Sequence, residues 1–193
     1  MRSGARTSWV LVAITMTLMA CSQTSRGNRP IRPHAPWDPE LARFFDDSAD
    51  FIEDPNDLQG TWATSYHGEL QGRVDDADLI CRVHVTTINE DISVDGHRRK
   101  HLLAQVTSTL RGTAPHEDRL NLVVDQGSSG FDMVDRGERR LFNGRFVAFV
   151  RWYEDDDETI RAHWHLSPGS RAVIDLVRQS IVEREQATPT SER

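Results

Sequence analysis

His163 and His165 are the residues of this 193-residue sequence whose type and spacing come closest to a chemical site. One residue separates them in a segment that reads as a strand, so both imidazoles project from one face and could share a metal ion. A third ligand would have to come from elsewhere, from His67, His84, His97 or His101. Two ligands alone hold an ion weakly. The plainer reading makes the pair the solvent-side alternates of Trp164 and Leu166, or hydrogen-bonded groups at a barrel end. His97 and His101 stand four apart, but Gly96 and the strand pattern after them argue against the helix that would align them. Glu154 to Glu158 (EDDDE) concentrates five acids. It lacks the alternating ligands and central glycine of a calcium loop and reads as a solvated turn. Asp125 to Gly130 (DQGSSG) matches neither a nucleophile elbow nor a phosphate loop with its lysine, so it reads as a flexible loop. Trp62, Trp152 and Trp164 could line a groove, although aromatic residues on element faces are more often core. These signals do not converge, and no catalytic residue, metal-ligand set or cofactor is assigned from them.

The two cysteines divide differently. Cys81 falls on the apolar face of a predicted strand, where an exported lone thiol packs rather than reacts. Cys21 ends an export signal. Arg2 and Arg6 precede an eleven-residue apolar run, Trp9 to Met19 (WVLVAITMTLM), and Leu18-Met19-Ala20-Cys21 closes it. Eleven residues fall short of the roughly 20 that span a bilayer, and the order positive, apolar, small residue is that of a secretory signal. The last four residues resemble the lipobox of bacterial lipoproteins. That resemblance implies cleavage before Cys21, a diacylglyceryl group on its thiol and acylation, as by palmitate, of the new amino terminus. Residues 1–20 would then be a signal peptide, and the mature protein would be held at a membrane by lipid, since two or three acyl chains anchor firmly where one does not. Cleavage by the general signal peptidase with Cys21 incidental, or an uncleaved anchor, is the alternative. Ser22, in place of aspartate, implies the outer membrane under the sorting rule of enteric bacteria.

Residues 22–37 (SQTSRGNRPIRPHAPW) place prolines at 30, 33 and 36 among three arginines. That pattern predicts an extended, semi-stiff tether of about 3.1 Å per residue. Met1 to Trp37 holds five of the 23 basic residues and none of the 30 acidic ones, so the remainder is a body of net charge −12 inside a chain of net −7. An acidic body excludes nucleic acid as the main partner, because phosphate backbones need a basic face. With 37% apolar and 27% charged residues the composition is that of an ordinary globular domain. One domain is expected over 38–186, followed by a polar tail, 187–193.

The elements that must carry these residues follow from periodicity. Asp38-Pro39-Glu40 suits a short helix start, with Leu41, Phe44 and Phe45 on one face. Trp62, Tyr66, Leu70 and Val74, spaced by four, predict a helical stripe. Strands are expected over 78–88, 101–110, 119–124, 145–153 and 159–166, with a turn at Asp95-Gly96 and a glycine-rich excursion over 125–144. Ser167-Pro168 or Ser170 would cap a last helix whose stripe is Val173, Ile174, Val177, Ile181 and Val182. The expected fold class is therefore mainly β with flanking N-terminal and C-terminal helices. The order Ala77-Asp78-Leu79-Ile80, then Leu110-Arg111-Gly112 closing a strand, then Phe142-Asn143-Gly144-Arg145-Phe146 opening one, resembles secreted bacterial domains of the netrin/TIMP-like, OB-fold type. The resemblance implies a small five-stranded OB-like β-barrel over about 77–166. It does not carry over the protease inhibition of animal members, which depends on disulfides and a free N-terminal cysteine. The expected role is a non-catalytic binding or structural domain of the cell envelope with a protein or glycan partner. A metal-binding protein or metal-dependent hydrolase using His163 and His165 is the alternative.

Overall fold

The computed structural model describes residues 36–154 and 159–187. The signal peptide, Cys21, nearly all of the tether, residues 155–158 of the acidic run and the polar tail from 188 lie outside them.

The architecture is mainly β: six strands in one curled sheet with three α-helices. Alternating apolar residues drive the longest pair, β2 (Leu79–Ile92) and β3 (Arg98–Arg111), joined by the expected turn, in which Gly96 takes φ 84°. β4 (Arg119–Asp125), β5 (Arg145–Glu154) and β6 (Ile160–Pro168) complete the antiparallel part. A further strand, β1 (Ser48–Ala49), runs parallel to β6, and the sheet order is β1-β6-β5-β2-β3-β4. This sixth strand was not expected. Two residues inside the polar stretch DDSAD carry no period-two signal, and pairing with His165 and Leu166 alone makes them a strand. Three register shifts between β2 and β3 raise the local twist and curl the sheet into a half-barrel. Its far strands then approach each other, and the Trp164 indole N–H donates to the Val123 carbonyl of β4 at 2.9 Å.

Each face of the sheet has its own core. The concave face carries Leu79, Cys81, Val83, Ala148, Trp164 and Leu166, and helix α2 (Phe131–Leu141) packs on it through Phe131, Val134 and Leu141. The convex face carries Ile80, Val147 and Phe149 beneath α1 (Gly60–Asp76) and α3 (Arg171–Ala187). Helix α2 corrects the expectation of a loop over 125–144. It is anchored by the buried Lys100 ammonium, which bonds Glu138 at 2.9 Å and Asp135 at 3.1 Å. Tyr66, Leu70 and Val74 are buried as the stripe predicts, whereas Trp62 is 77% exposed and Val182 also faces solvent. The first helix is a 3₁₀ turn, Pro39–Arg43, with Asp38 accepting from the Glu40 amide, and Ser170 caps α3 through the Val173 amide. Gly112, which ends β3 at φ 86°, has a positional reason: a Cβ there would overlap the Asp78 carbonyl oxygen.

Candidate functional site

The chain between the 3₁₀ turn and α1 lies along β6, and this brings three carboxylates to the two histidines of the strand. The Asp47 amide donates to the Trp164 carbonyl and the Asp50 amide to the Leu166 carbonyl, both at 2.9 Å. Asp47 adopts φ 54°, a left-handed conformation that aspartate tolerates better than most residues. Gly130 packs so closely on this segment that a Cβ there would overlap the Asp47 carbonyl oxygen, so α2 and β1 fix one another.

His163 and His165 do share a face of β6, as strand parity predicts, but each is claimed separately. The Nδ1 of His165 lies 2.8 Å from Asp46 Oδ1, and its Nε2 lies 3.2 Å from Asp50 Oδ2. An imidazole with a carboxylate at each nitrogen donates through both only as the imidazolium, which has no lone pair for a metal or for base catalysis. Burial works against ionisation of Asp46 and Asp50. The hydrogen bond and charge of His165 outweigh it, with help from Ser48 and Ser167 respectively, and hold both carboxyls below their ordinary 3.8. Ser48 Oγ is 3.4 Å from His165 Nδ1, but it donates to Asp46 at 2.6 Å and is buried, which rules against a nucleophile.

His163 is arranged differently. Its Nδ1 lies 2.6 Å from Asp47 Oδ2, and the other Asp47 oxygen accepts from the Trp164 amide at 3.0 Å. Burial raises the Asp47 carboxyl above 3.8 in spite of His163. The ring stacks on Tyr153, with centroids 4.8 Å apart and planes 8° apart, and Trp37 covers it at 3.9 Å. A carboxylate at Nδ1 selects the tautomer whose Nε2 carries the lone pair.

His163 and Asp47 belong to a cleft of about 550 Å³ in the seam where β6 and β4 diverge past the Trp164–Val123 bond. One wall is Trp152, Tyr153, Ile160 and Arg161 of the β5–β6 hairpin. The other is Arg99, Asn121 and Asp125 of β3 and β4, with Arg99 Nε bonded to Asp125 at 2.6 Å. One wall thus carries the aromatic rings and the other polar and charged groups.

The remaining histidines are scattered. His67 bonds the Ala63 carbonyl on the exposed side of α1, His97 of the β2–β3 turn meets Asp125 at the end of β4, and His101 of β3 meets Asp91 of β2. His84 lies on the convex side of β2. Among the described residues no group of three His, Cys, Asp or Glu side chains is arranged to hold a metal ion. Cys81 is fully buried, and burial pushes its thiol up to about 12, the setting of a packing residue. Trp164 is core, as is the partly buried Trp152 on one side, while its other side meets the cleft. Sequence reasoning missed Asp46, Asp47 and Asp50. The only signal was their density beside Ser48, and it does not say which strand they meet. No family model, curated protein or solved structure matches the chain.

Proposed function

We propose that the chain is a lipid-anchored domain of the bacterial cell envelope that binds a small, ring-bearing polar ligand of glycan type in the seam cleft, without catalysing a reaction. The cleft carries this reading. Its volume of about 550 Å³ lies within the range of small-ligand sites. The Trp152 ring on one side and Asp47, Arg99, Asn121 and Arg161 around it suit a sugar, whose C–H face stacks while its hydroxyls bond. The anchor rests on Leu18-Met19-Ala20-Cys21, the charged and apolar stretch before it and the proline-spaced tether after it, with Ser22 favouring the outer membrane. The finer fold reading, an OB-like barrel of the netrin/TIMP-like kind, is supported by the curled antiparallel sheet. It must accommodate β1, which a five-stranded form lacks.

Two measurements test the proposal. Labelled palmitate should enter the wild-type protein and not Cys21→Ser, which should also leave the membrane fraction; unchanged labelling would remove the anchor. Calorimetry with purified cell-wall glycan fragments should give saturable binding that weakens about tenfold in Trp152→Ala, the loss of one stacking face. No binding by the wild type refutes the glycan reading. Stoichiometric zinc that is lost in His163→Ala would support the metal-dependent alternative instead.

A further inference from the structure

We propose that the convex face of the sheet carries a second site, for a phosphate group, formed by Arg82 and His84 of β2 and Arg145 of β5. Strand parity puts the three on one face: Arg82 and His84 are two apart, and His84 stands directly opposite Arg145 in the β2–β5 register. They line a depression of about 320 Å³ with Thr107 and Ser108 of β3 and Gly169. No acidic residue lines it, in a chain that carries 30 acids against 23 bases.

The convergence of these three basic side chains is the main argument. Arg98, Arg99, Lys100 and Arg151 each sit on a carboxylate, Arg111 bonds the Val74 and Ala77 carbonyls, and Arg119 is the single basic residue of its own depression on β4. Among the described residues, Arg82, His84 and Arg145 have no acidic partner. A third element adds to the potential. The Gly169 amide donates to the Arg145 carbonyl at 2.8 Å, which brings the first turn of the 17-residue helix α3 to the rim, and that turn contains no acid.

The donor set selects the anion. Two guanidiniums, from β2 and β5, offer planar forks, and the His84 imidazole on β2 and the Ser108 hydroxyl on β3 add further donors. The Thr107 hydroxyl is committed to the Arg82 carbonyl at 3.1 Å and ties β3 to β2 beneath the site. A carboxylate presents two oxygens in one plane, whereas a phosphate presents its oxygens around a tetrahedron and can meet donors from three strands. A phospholipid head group and free inorganic phosphate share that chemistry.

Thermal unfolding of the full chain in neutral detergent reads the site. One arm compares sodium phosphate with sodium chloride at equal ionic strength; the other compares micelles doped with phosphatidylglycerol and with phosphatidylcholine. The expected result is a midpoint raised by phosphate, or by phosphatidylglycerol, beyond its control. The apparent affinity should fall about tenfold or more in the Arg82→Gln/Arg145→Gln double variant. Arg145→Lys, which keeps the charge but not the fork, should lose a few-fold and covers the case in which the double variant does not fold. Arg119→Gln, in a separate depression on β4, should respond like the wild type. A response in the phosphate arm assigns free phosphate, and a response to phosphatidylglycerol alone assigns a lipid head group; either upholds the site. A wild type indifferent to both, or variants at 82 and 145 that keep the full response, overturns it.

Discussion

His163 and His165 are two residues apart on one strand, and what each ring nitrogen meets separates their roles. His165 is 3% exposed and bridges Asp46 and Asp50, so it is the buried partner that lets two carboxylates enter the fold together. Replacing it with alanine removes the hydrogen bonds and charge by which it holds both carboxylates, leaving Asp46 only the weaker attraction of Arg73 as counter-charge. Removing one partner of a buried ion pair costs about 3–5 kcal/mol, and the partial exposure of Asp46 puts His165→Ala at the lower end, about 3 kcal/mol. His163→Ala, whose side chain is 24% exposed, should cost about 1 kcal/mol and act mainly on the cleft. Urea titrations of the two variants test this ordering, and equal midpoints would sink the assignment of His165 as the structural partner. The shared face of the pair was legible from parity alone. Their partners were not, because Asp47 lies 116 positions from His163 in a segment whose only pattern is charge. Cys81 could be read from sequence, since its place in an alternating strand predicts the burial observed.

At the scale of elements, long periodic segments were legible and short or charged ones were not. β2 through β6 and the stripes of α1 and α3 announce themselves because one face must leave water. Helix α2 is hidden by its composition: among its eleven residues Phe131, Val134 and Leu141 meet the core, Gly137 stands where a fourth apolar residue would complete the stripe, and six are charged. Strand β1 is too short for any period and is held by what it meets on β6. That dependence predicts how acid affects it. The carboxyls of Asp46 and Asp50 are held below 3.8, so their contribution to stability is complete above that pH and is lost as pH falls through their lowered values. Asp47, raised above 3.8, has the opposite sign: the fold favours its protonated form, and stability rises slightly as it takes up its proton. Two of these three carboxyls therefore favour the fold less as pH falls, and one favours it more. β1 should therefore detach below pH 3.8, before the β2–β3 hairpin unfolds. Hydrogen exchange at the Asp47 and Asp50 amides should lose protection first, and protection that tracks the hairpin down to global unfolding would refute local release.

On the scale of the whole molecule, a six-stranded sheet curled by register shifts in one hairpin leaves a seam, and the seam is where the cleft opens. The curl follows from where β2 and β3 slip against each other, which no residue type announces, so the sequence pattern supports a curled sheet without saying where it stays open. The Trp164 indole lies beside that opening. Its ring is fully buried in the concave core, and its N–H reaches the carbonyl of Val123 on the opposite strand. Trp164→Phe keeps most of the apolar bulk but removes the donor and leaves a small void. An unsatisfied acceptor costs about 1–3 kcal/mol, unless water reaches it through the widened seam. The midpoint of thermal unfolding should fall by about 2–4 °C for each kcal/mol lost. Trp62→Phe, on a residue that is 77% exposed, should stay within about 0.5 kcal/mol of the wild type. If Trp164 sets the width of the seam, its variant should also weaken ligand binding in the cleft by more than its stability loss explains, measured well below the midpoint where the variant is fully folded. Unchanged affinity in a destabilised Trp164→Phe would mean that the walls of the cleft are held by the two hairpins independently, and that the indole bond closes the core without shaping the site.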